Sequence, residues 1–308
     1  MEEAFFLDES DHRILFELDQ LYKKLGRSPE KRLAFLHKYP EGVAARDDLN
    51  VEKLTLLNIT GKEEEALKIM GSRQFQPWEG GEGRVSTQYV RSLILLGLKE
   101  LKKDHAAEAL RLLEKAYSYP CNLGEGKLCT ITDNELDYYR GLALNKTGRK
   151  EEALQSLLKA TKGDQEPAAS HYYNDQSADL IYFQGLAQLQ MGNPLEARQR
   201  FNKLLSWGKS HFHDQTEIDY FAVSLPDLLI FDQDGDAQNQ LYCRYLMALG
   251  EYGMGNTETG RKLLEEVLRE DPVYPGAAFF KTLWDGDSFS HCQFCCKMIP
   301  GPLTDLGG

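Results

Sequence analysis

The stretch from Asp137 to Gln165 constrains the fold of this chain more than any other part of the sequence. Its apolar residues recur at helical spacing on both sides of Gly148, which predicts two helices joined by a tight turn. Gly141 in the first predicted helix and Ala153 in the second stand twelve residues apart. Because small side chains allow two helix axes to approach closely, this spacing predicts a tightly packed helix pair.

The same interval of twelve residues recurs between Gly97 and Ala109 and between Gly185 and Ala197. A helix–turn–helix unit repeated in this way is the tetratricopeptide pattern. Such units bury their apolar faces by stacking on their neighbours, so they form extended superhelices. We therefore predict an all-α fold, a right-handed superhelix (solenoid) of tetratricopeptide-like helix-turn-helix repeats.

The predicted repeat array spans residues 1–284. Stretches without helical periodicity interrupt it as loop insertions near 74–84, 120–132 and 208–235. A short helix over Tyr274–Trp284 is expected to cover the open end of the stack, as terminal caps do in such arrays. Residues 285–308 contain glycine, proline and cysteine but no periodicity, so we expect an irregular or disordered tail.

The charge of the chain excludes two classes of partner. Its 48 acidic and 36 basic residues give a net charge of -12. Nucleic acid and anionic membrane surfaces both need a basic patch, so we expect neither as a partner. The longest apolar runs, such as Leu93–Leu96, are too short to span a bilayer, and no secretory leader pattern follows Met1. With only six cysteines, a cytoplasmic protein with free thiols is expected.

Four motifs are similar to those of a known family. They are RDDLNVEKLTLLNITG from Arg46, FQPWEGGEG from Phe75, NLGEGKL from Asn122 and DYFAVSLPDLLIFD from Asp219. The region from about Asp11 to Phe280 thereby resembles the C-terminal part of a family of bacterial tetratricopeptide proteins. That family carries an N-terminal domain of unknown function, similar to a carbohydrate-binding or mutarotase-like β-sandwich. The resemblance implies no reaction, and it implies that this chain is an incomplete copy that lacks the β domain.

Two glycine-rich loops carry the same chemistry between successive repeats. GEGR from Gly81 and GEGK from Gly124 each offer free backbone amides, one carboxylate and one cation. We predict that they form one polar surface that contacts a carbohydrate or the missing β domain. The predicted surface consists of Trp78, Glu82, Arg84, Glu125 and Lys127. Replacing Glu82 and Glu125 together by alanine is expected to leave folding nearly intact. The alternative is that the glycines only turn the chain, while Trp78 fills a gap between repeats.

The concave face of the predicted superhelix is a second candidate surface, because such faces hold a protein or peptide partner. Tyrosine supplies contact area and a hydrogen bond at little cost in conformational entropy. Four tyrosines on predicted first helices are therefore candidates, namely Tyr138, Tyr139, Tyr182 and Tyr242. The alternative is that these tyrosines pack between the helices.

Three stretches contain residues that bind metals elsewhere, but none has the spacing of a known site. His211, His213 and Asp214, with Glu217 and Asp219 behind them, lack a second ligand cluster. The stretch 232–236 departs from the calcium loop in its glycine position, and Asp236 is better explained as a helix N-cap. The tail offers His291, Cys292, Cys295 and Cys296, without a matching pair elsewhere. We predict no metal and no other cofactor.

The sequence also lacks the phosphate-binding and nucleophile motifs of common enzymes, so no catalytic residue is predicted. The interpretation is a non-catalytic tetratricopeptide-repeat module for binding or scaffolding, acting between proteins or between domains. The alternative is the repeat region of a carbohydrate-associated protein whose sugar-binding or catalytic β domain is missing. The direction in which the two glycine loops project discriminates between these hypotheses. Loops that open onto one accessible edge favour the alternative.

Overall fold

Every regular element in the described part of the chain is helical. The fold is that of a computed structural model, which describes residues 1–78, 80–168, 175–216 and 234–285. Within those ranges there are fifteen α-helices, one short 3₁₀ turn and no strand, which confirms the all-α prediction. No helix in those ranges is both long enough and apolar enough to cross a lipid bilayer. The predicted tail beyond Asp285 and most of the insertion near 208–235 lie outside the described residues.

Four short helices open the chain, and side-chain caps set two of their starts. Asp11 accepts hydrogen bonds from the backbone amides of Arg13 and Ile14. Ser28 accepts one from the amide of Lys31, and Pro29 follows it at the first helical position. These four helices are α1 (Glu2–Leu7), α2 (His12–Lys24), α3 (Pro29–Leu36) and α4 (Pro40–Ala45).

The next ten helices form five consecutive pairs, and the two helices of each pair contact each other. The pairs are α5 (Asp47–Ile59) with α6 (Glu63–Ser72), α7 (Arg84–Lys102) with α8 (Ala106–Lys115), α9 (Asn134–Lys146) with α10 (Lys150–Ala160), α11 (Leu180–Gln190) with α12 (Pro194–His211), and α13 (Gly235–Gly253) with α14 (Thr257–Glu270). The first helices also contact one another in the order α5, α7, α9, α11, α13. Successive pairs therefore stack as units of a helical repeat.

The twelve-residue interval marks the points where paired helices touch. A Cβ atom placed on Gly141 would lie only 2.9 Å from the Leu157 side chain and 3.4 Å from the Ala153 carbonyl oxygen. A Cβ on Gly185 would lie 2.4 Å from the ring of Phe201. Gly148 turns between α9 and α10 with a φ of +79°, a conformation that residues with side chains rarely adopt. The helix pair predicted around these residues is confirmed.

The last helix, α15 (Pro275–Asp285), does not occupy the position that the sequence predicted. The helix itself is confirmed, but it contacts both α14, which precedes it, and α5, at the far end of the row of first helices. A helix that only covered the last repeat could not reach α5. The prediction of a terminal cap is therefore wrong, because α15 lies across the row instead of at its end.

A buried cluster of charges joins the opening helices to the first two pairs. Arg32 and Asp19 have no solvent-exposed surface, and the guanidinium Nε donates to Asp19 Oδ1 at 3.0 Å. The Nη2 atom of Arg32 also donates to Glu52 Oε2 of α5 at 2.8 Å. Glu52 additionally pairs with Lys23 of α2 at 3.3 Å and with Arg84 of α7 at 3.1 Å. The cluster thus connects α2, α3, α5 and α7.

Candidate functional site

The two glycine-rich loops interlock into one layer beside α7. The amide of Phe75 in the first loop donates to the carbonyl of Asn122 in the second at 2.8 Å. The side-chain amide of Asn122 donates back to the carbonyls of Met70 and Arg73, at 2.6 and 2.8 Å. Gly124 has a φ of +81°, and a Cβ there would lie 2.7 Å from the Phe75 carbonyl oxygen. The contact between the loops therefore requires glycine at this position.

Glu125 stabilises the start of α7 from the neighbouring loop. Its carboxylate accepts hydrogen bonds from the amides of Gly83, at 2.7 Å, and Ser86, at 3.0 Å. No side chain next to α7 in the sequence caps this end of the helix. Because helix N-termini leave unpaired amides and carry partial positive charge, a carboxylate at this place acts as a cap.

Both loops open onto one cleft of about 520 Å³. Trp78 and Glu82 of the first loop line it together with Leu123, Glu125 and Leu128 of the second. Glu82 is exposed, while Trp78 is half-buried because its indole packs on the backbone of Gly81. The structure therefore brings three of the five predicted residues, Trp78, Glu82 and Glu125, to the same cleft.

The two cations predicted for this surface form other contacts. Arg84 reaches Glu52 in the buried charge cluster at 3.1 Å. The Nζ atom of Lys127 lies 2.6 and 2.7 Å from the two carboxylate oxygens of Asp133, and near the ring of Tyr119. Their positions indicate a role in holding the loops in place. Binding of a partner by either residue stays a prediction.

We expect Glu125→Ala to lower the free energy of unfolding by about 1–2 kcal/mol, because it removes two hydrogen bonds at the start of α7. Glu82→Ala is the matched control in the same cleft and is expected to change it by less than about 0.5 kcal/mol. Urea unfolding of the two variants measures the difference. The sequence predicts that replacing the two glutamates leaves folding nearly intact. The structure replaces that prediction for Glu125 with an expected loss of stability. Equal stabilities would remove the capping role.

Three of the four candidate tyrosines are buried. Tyr138, Tyr139 and Tyr182 are only 2%, 5% and 1% exposed, and the rings of Tyr138 and Tyr139 lie 5.1 Å apart. Tyr242 is half-buried, and its hydroxyl donates to the carbonyl of Ala168 at 2.9 Å. Packing between helices accounts for these positions. Direct contact of the four tyrosines with a partner stays a prediction.

The first helices of the pairs form a groove, and α15 lies in it. We call the surface of α5, α7, α9, α11 and α13 that faces α15 the central groove. The residues of α15 that point into it, Ala277, Phe280 and Trp284, follow the spacing of three and four residues that lines one helix face. Lys281 and Asp285, at the flank of this face, are exposed. An amphipathic helix with its apolar face in a groove is a recurrent mode of peptide recognition.

Aromatic contacts fix the C-terminal half of α15. The ring of Phe280 lies 5.2 Å from that of Tyr182 and 5.6 Å from that of Phe183, both on α11. The indole of Trp284 stacks on Tyr252 of α13 at 3.8 Å with an interplanar angle of 3°. Aromatic pairs in such geometry add to the stabilisation gained from burying their surface.

A polar centre lies under the other edge of α15. The guanidinium of Arg91, on α7, lies 3.6 Å from the ring centroid of Phe279 and 3.1 Å from Glu135 on α9. Burial raises the pKa of Glu135 to about 7, since the nearby charge of Arg91 opposes that effect only in part and Asp179 adds to it. Asp179 in turn accepts a hydrogen bond from the Tyr245 hydroxyl at 2.8 Å. The groove therefore combines aromatic walls with one charged centre.

The metal-type residues that the structure describes form ordinary local contacts. His211 Nδ1 lies 2.6 Å from Asp214, and its ring packs on Trp207. Within the described ranges no group of three or more potential metal-ligating side chains occurs. Residues 217–233 and 286–308, which hold the remaining candidate ligands, lie outside those ranges. Asp234 accepts the amides of Asp236 and Ala237, so the N-cap of α13 is Asp234, and its assignment to Asp236 is wrong.

Models of known protein families, when compared with the chain, give no match.

Two features of the site had no clear signal in the sequence. The cap formed by Glu125 needs a partner helix that begins about forty residues earlier in the chain. The place of α15 depends on contacts with α5 and α7, which no local pattern encodes. The sequence does indicate that α15 is buried, because this helix contains the aromatic residues Phe279, Phe280 and Trp284.

Proposed function

We propose that this chain is a non-catalytic, tetratricopeptide-like binding module, a right-handed superhelix whose concave face is the central groove. The observation that carries the proposal is α15, an amphipathic helix seated in that groove by its apolar face. The twelve-residue contacts of the helix pairs support it, and so does the resemblance of four sequence motifs to those of bacterial tetratricopeptide proteins. In this proposal α15 is the resident occupant of a site for helical segments.

The chemistry of the groove matches such a ligand. Aromatic side chains on α11 and α13 surround Phe280 and Trp284, so burial of a large ring is the main source of affinity. Arg91 adds a cation–π contact to Phe279, which favours an aromatic residue over an aliphatic one at that position.

The proposal is tested with a fluorescent peptide of residues 271–285 and the full chain carrying Phe280→Ala, which weakens the hold on its own α15. We expect the variant to bind the peptide at least about tenfold more tightly than the unaltered chain. The unaltered chain presents its own α15 at an effective concentration in the millimolar range, and this competes with the peptide.

Phe6→Ala is the matched control, because it removes the same ring from an exposed position on α1. This control is expected to bind the peptide as weakly as the unaltered chain. Fast amide exchange in α15 would show that the Phe280→Ala chain has released this helix. If that chain still does not bind the peptide, the proposal is contradicted.

A second candidate function rests on a different observation, that both glycine loops open onto the 520 Å³ cleft. We propose as the alternative that this edge serves a carbohydrate-associated protein, either by binding saccharide directly or by contacting a β domain. Trp78 offers a face for stacking and Glu82 a hydrogen-bond acceptor. Titration with a panel of oligosaccharides should then give binding that Trp78→Ala abolishes and Phe6→Ala does not. Equal binding by both variants would contradict this alternative.

A further inference from the structure

A cavity of about 230 Å³ lies between α7, α9, the second glycine-rich loop and the start of α11. Arg91 and Glu135 form part of its wall, and the apolar side chains of Val90, Leu136 and Leu180 also line it. Among the described residues none of α15 takes part in this lining. A single water needs only about 10–15 Å³, so the cavity has room for a small organic molecule.

Contacts with neighbouring elements hold the walls of the cavity in place. The guanidinium of Arg91 lies 3.6 Å from the ring centroid of Phe279 in the central groove. On the opposite side, the side chain of Gln176 forms two hydrogen bonds with the backbone of Asp164, at 2.7 and 2.8 Å. Ser177 lines the cavity and is exposed, so the cavity opens to solvent. A preformed cavity that solvent can enter is typical of sites for small molecules.

Glu135 presents an acceptor that the chain itself does not use. Its Oε1 accepts a hydrogen bond from Arg91 Nη1 at 3.1 Å, whereas its Oε2 has no donor within the described ranges. The Glu135 side chain keeps 13% of its surface accessible, and Oε2 is not among the polar atoms that are sealed from solvent. A ligand in the cavity can therefore reach this oxygen.

The charges around the cavity favour a cationic ligand. Four acidic residues and a single arginine line it. The acidic residues are Glu125, Asp133, Glu135 and Asp175. Glu125 caps α7, and Asp133 pairs with Lys127 at 2.6 Å, so these two charges are already compensated. Glu135 and Asp175 then remain against the one arginine, which leaves the cavity negative.

The titration of Glu135 indicates the same need for positive charge. Burial raises its pKa to about 7, because Arg91 opposes that effect only in part and the charge of Asp179 adds to it. Tyr139, one turn further along α9, stays neutral because burial holds its pKa well above the usual value. By contrast, Glu52 has three cationic partners, and its pKa lies far below the usual range. A further cation beside Glu135 would stabilise its ionised form in the same way.

We propose that this cavity binds a small primary amine, whose ammonium group pairs with Oε2 of Glu135 and whose apolar stem lies against Val90 and Leu136. The ammonium group supplies the donor and the positive charge that the carboxylate lacks, and the stem gains from burial. This binding site is additional to the proposed function and does not require the release of α15.

The test compares benzylamine with benzyl alcohol, which has the same ring but no charge, in NMR titrations of the full chain at pH 8. Benzylamine is expected to bind at least about tenfold more tightly, because only the amine forms a charged pair with Glu135. Glu135→Gln keeps the shape of the side chain and should abolish this advantage. Glu82→Gln, in the neighbouring cleft, is the matched control and should preserve it. Equal affinities of the two probes, or an advantage that survives Glu135→Gln, would overturn the proposal.

The pH dependence of binding tests the proposal on the unaltered chain, so it applies even if Glu135→Gln does not fold. A primary amine keeps its charge at both pH 6 and pH 8. The ammonium pairs with the ionised carboxylate, so benzylamine should bind about tenfold more weakly at pH 6, where Glu135 is protonated, than at pH 8. The affinity for benzyl alcohol should not change. A benzylamine affinity that is the same at both pH values would overturn the proposal.

Discussion

Replacing Glu52 by alanine is expected to destabilise the chain by about 3–5 kcal/mol, the largest single effect that we anticipate. Glu52 is 3% exposed and pairs with three cations, Lys23, Arg32 and Arg84. Its removal leaves three positive charges in the cluster against the one negative charge of Asp19, which pairs with the fully buried Arg32. An uncompensated charge in a buried environment costs several kcal/mol, much more than the loss of an exposed ion pair.

The pH dependence of this loss has a definite sign. Burial by itself raises the pKa of Glu52, but the charges of Lys23, Arg32 and Arg84 lower it far below its usual range. An acid whose pKa falls on folding contributes stability above its unfolded value, and that contribution disappears as the pH falls toward the folded value. The difference between Glu52→Ala and the unaltered chain should therefore be largest near neutral pH and shrink in acid.

Denaturant unfolding at pH 7 and at pH 4 measures both parts of this prediction. Glu152→Ala is the matched control, because Glu152 of α10 forms an exposed ion pair with Arg149, the residue that precedes this helix. The control is expected to leave the free energy of unfolding nearly unchanged, because solvent screens an exposed ion pair. A similarly small change for Glu52→Ala would show that the cluster does not join the opening helices to the repeats.

Phe280→Ala is expected to have the second large effect and to lower the free energy of unfolding by about 3–5 kcal/mol. The Phe280 side chain is 1% exposed and contacts aromatic rings from α11 and α13. Truncation to alanine leaves a cavity that these rigid rings cannot fill by small shifts, so most of the packing energy is lost. Because Phe280 is the central anchor of α15, the loss should concentrate there.

Hydrogen exchange resolved by segment measures this effect. Protection of α15 should fall in Phe280→Ala, while α9 and α10 keep their protection. Phe6→Ala, which truncates a ring that is 59% exposed, should leave every segment unchanged. A uniform loss of amide-exchange protection across the chain would instead show that α15 unfolds together with the helix pairs.

The sequence predicts those parts of the fold that depend on local spacing. The interval between Gly141 and Ala153 lies within one helix pair, so a single pattern contains both contact surfaces. The position of α15 depends on α5, which lies more than two hundred residues earlier in the chain. A pattern of apolar residues shows that a helix has a buried face, but it does not show which surface buries it.

Charged residues were the least predictable part of the candidate site. Arginine and glutamate are usually exposed in folded proteins, so the sequence alone predicts that Arg32, Arg84 and Glu125 lie at the surface. In the structure Arg32 is fully buried, Arg84 reaches the same cluster and Glu125 caps a helix. Their partners lie between thirteen and forty-two residues away, so no local motif could indicate these pairings.

The position of α15 in the central groove is tested most directly by cross-linking it to α5. Cysteines are introduced at Thr55 and Thr282, which border the same small pocket, in a chain whose six native cysteines are replaced. The control places the first cysteine at Leu195, which is exposed on α12. A short bismaleimide should link residues 55 and 282 within one chain and leave the control pair unlinked. If both pairs cross-link only at the same background level, the claim that α15 lies in the central groove beside α5 is contradicted.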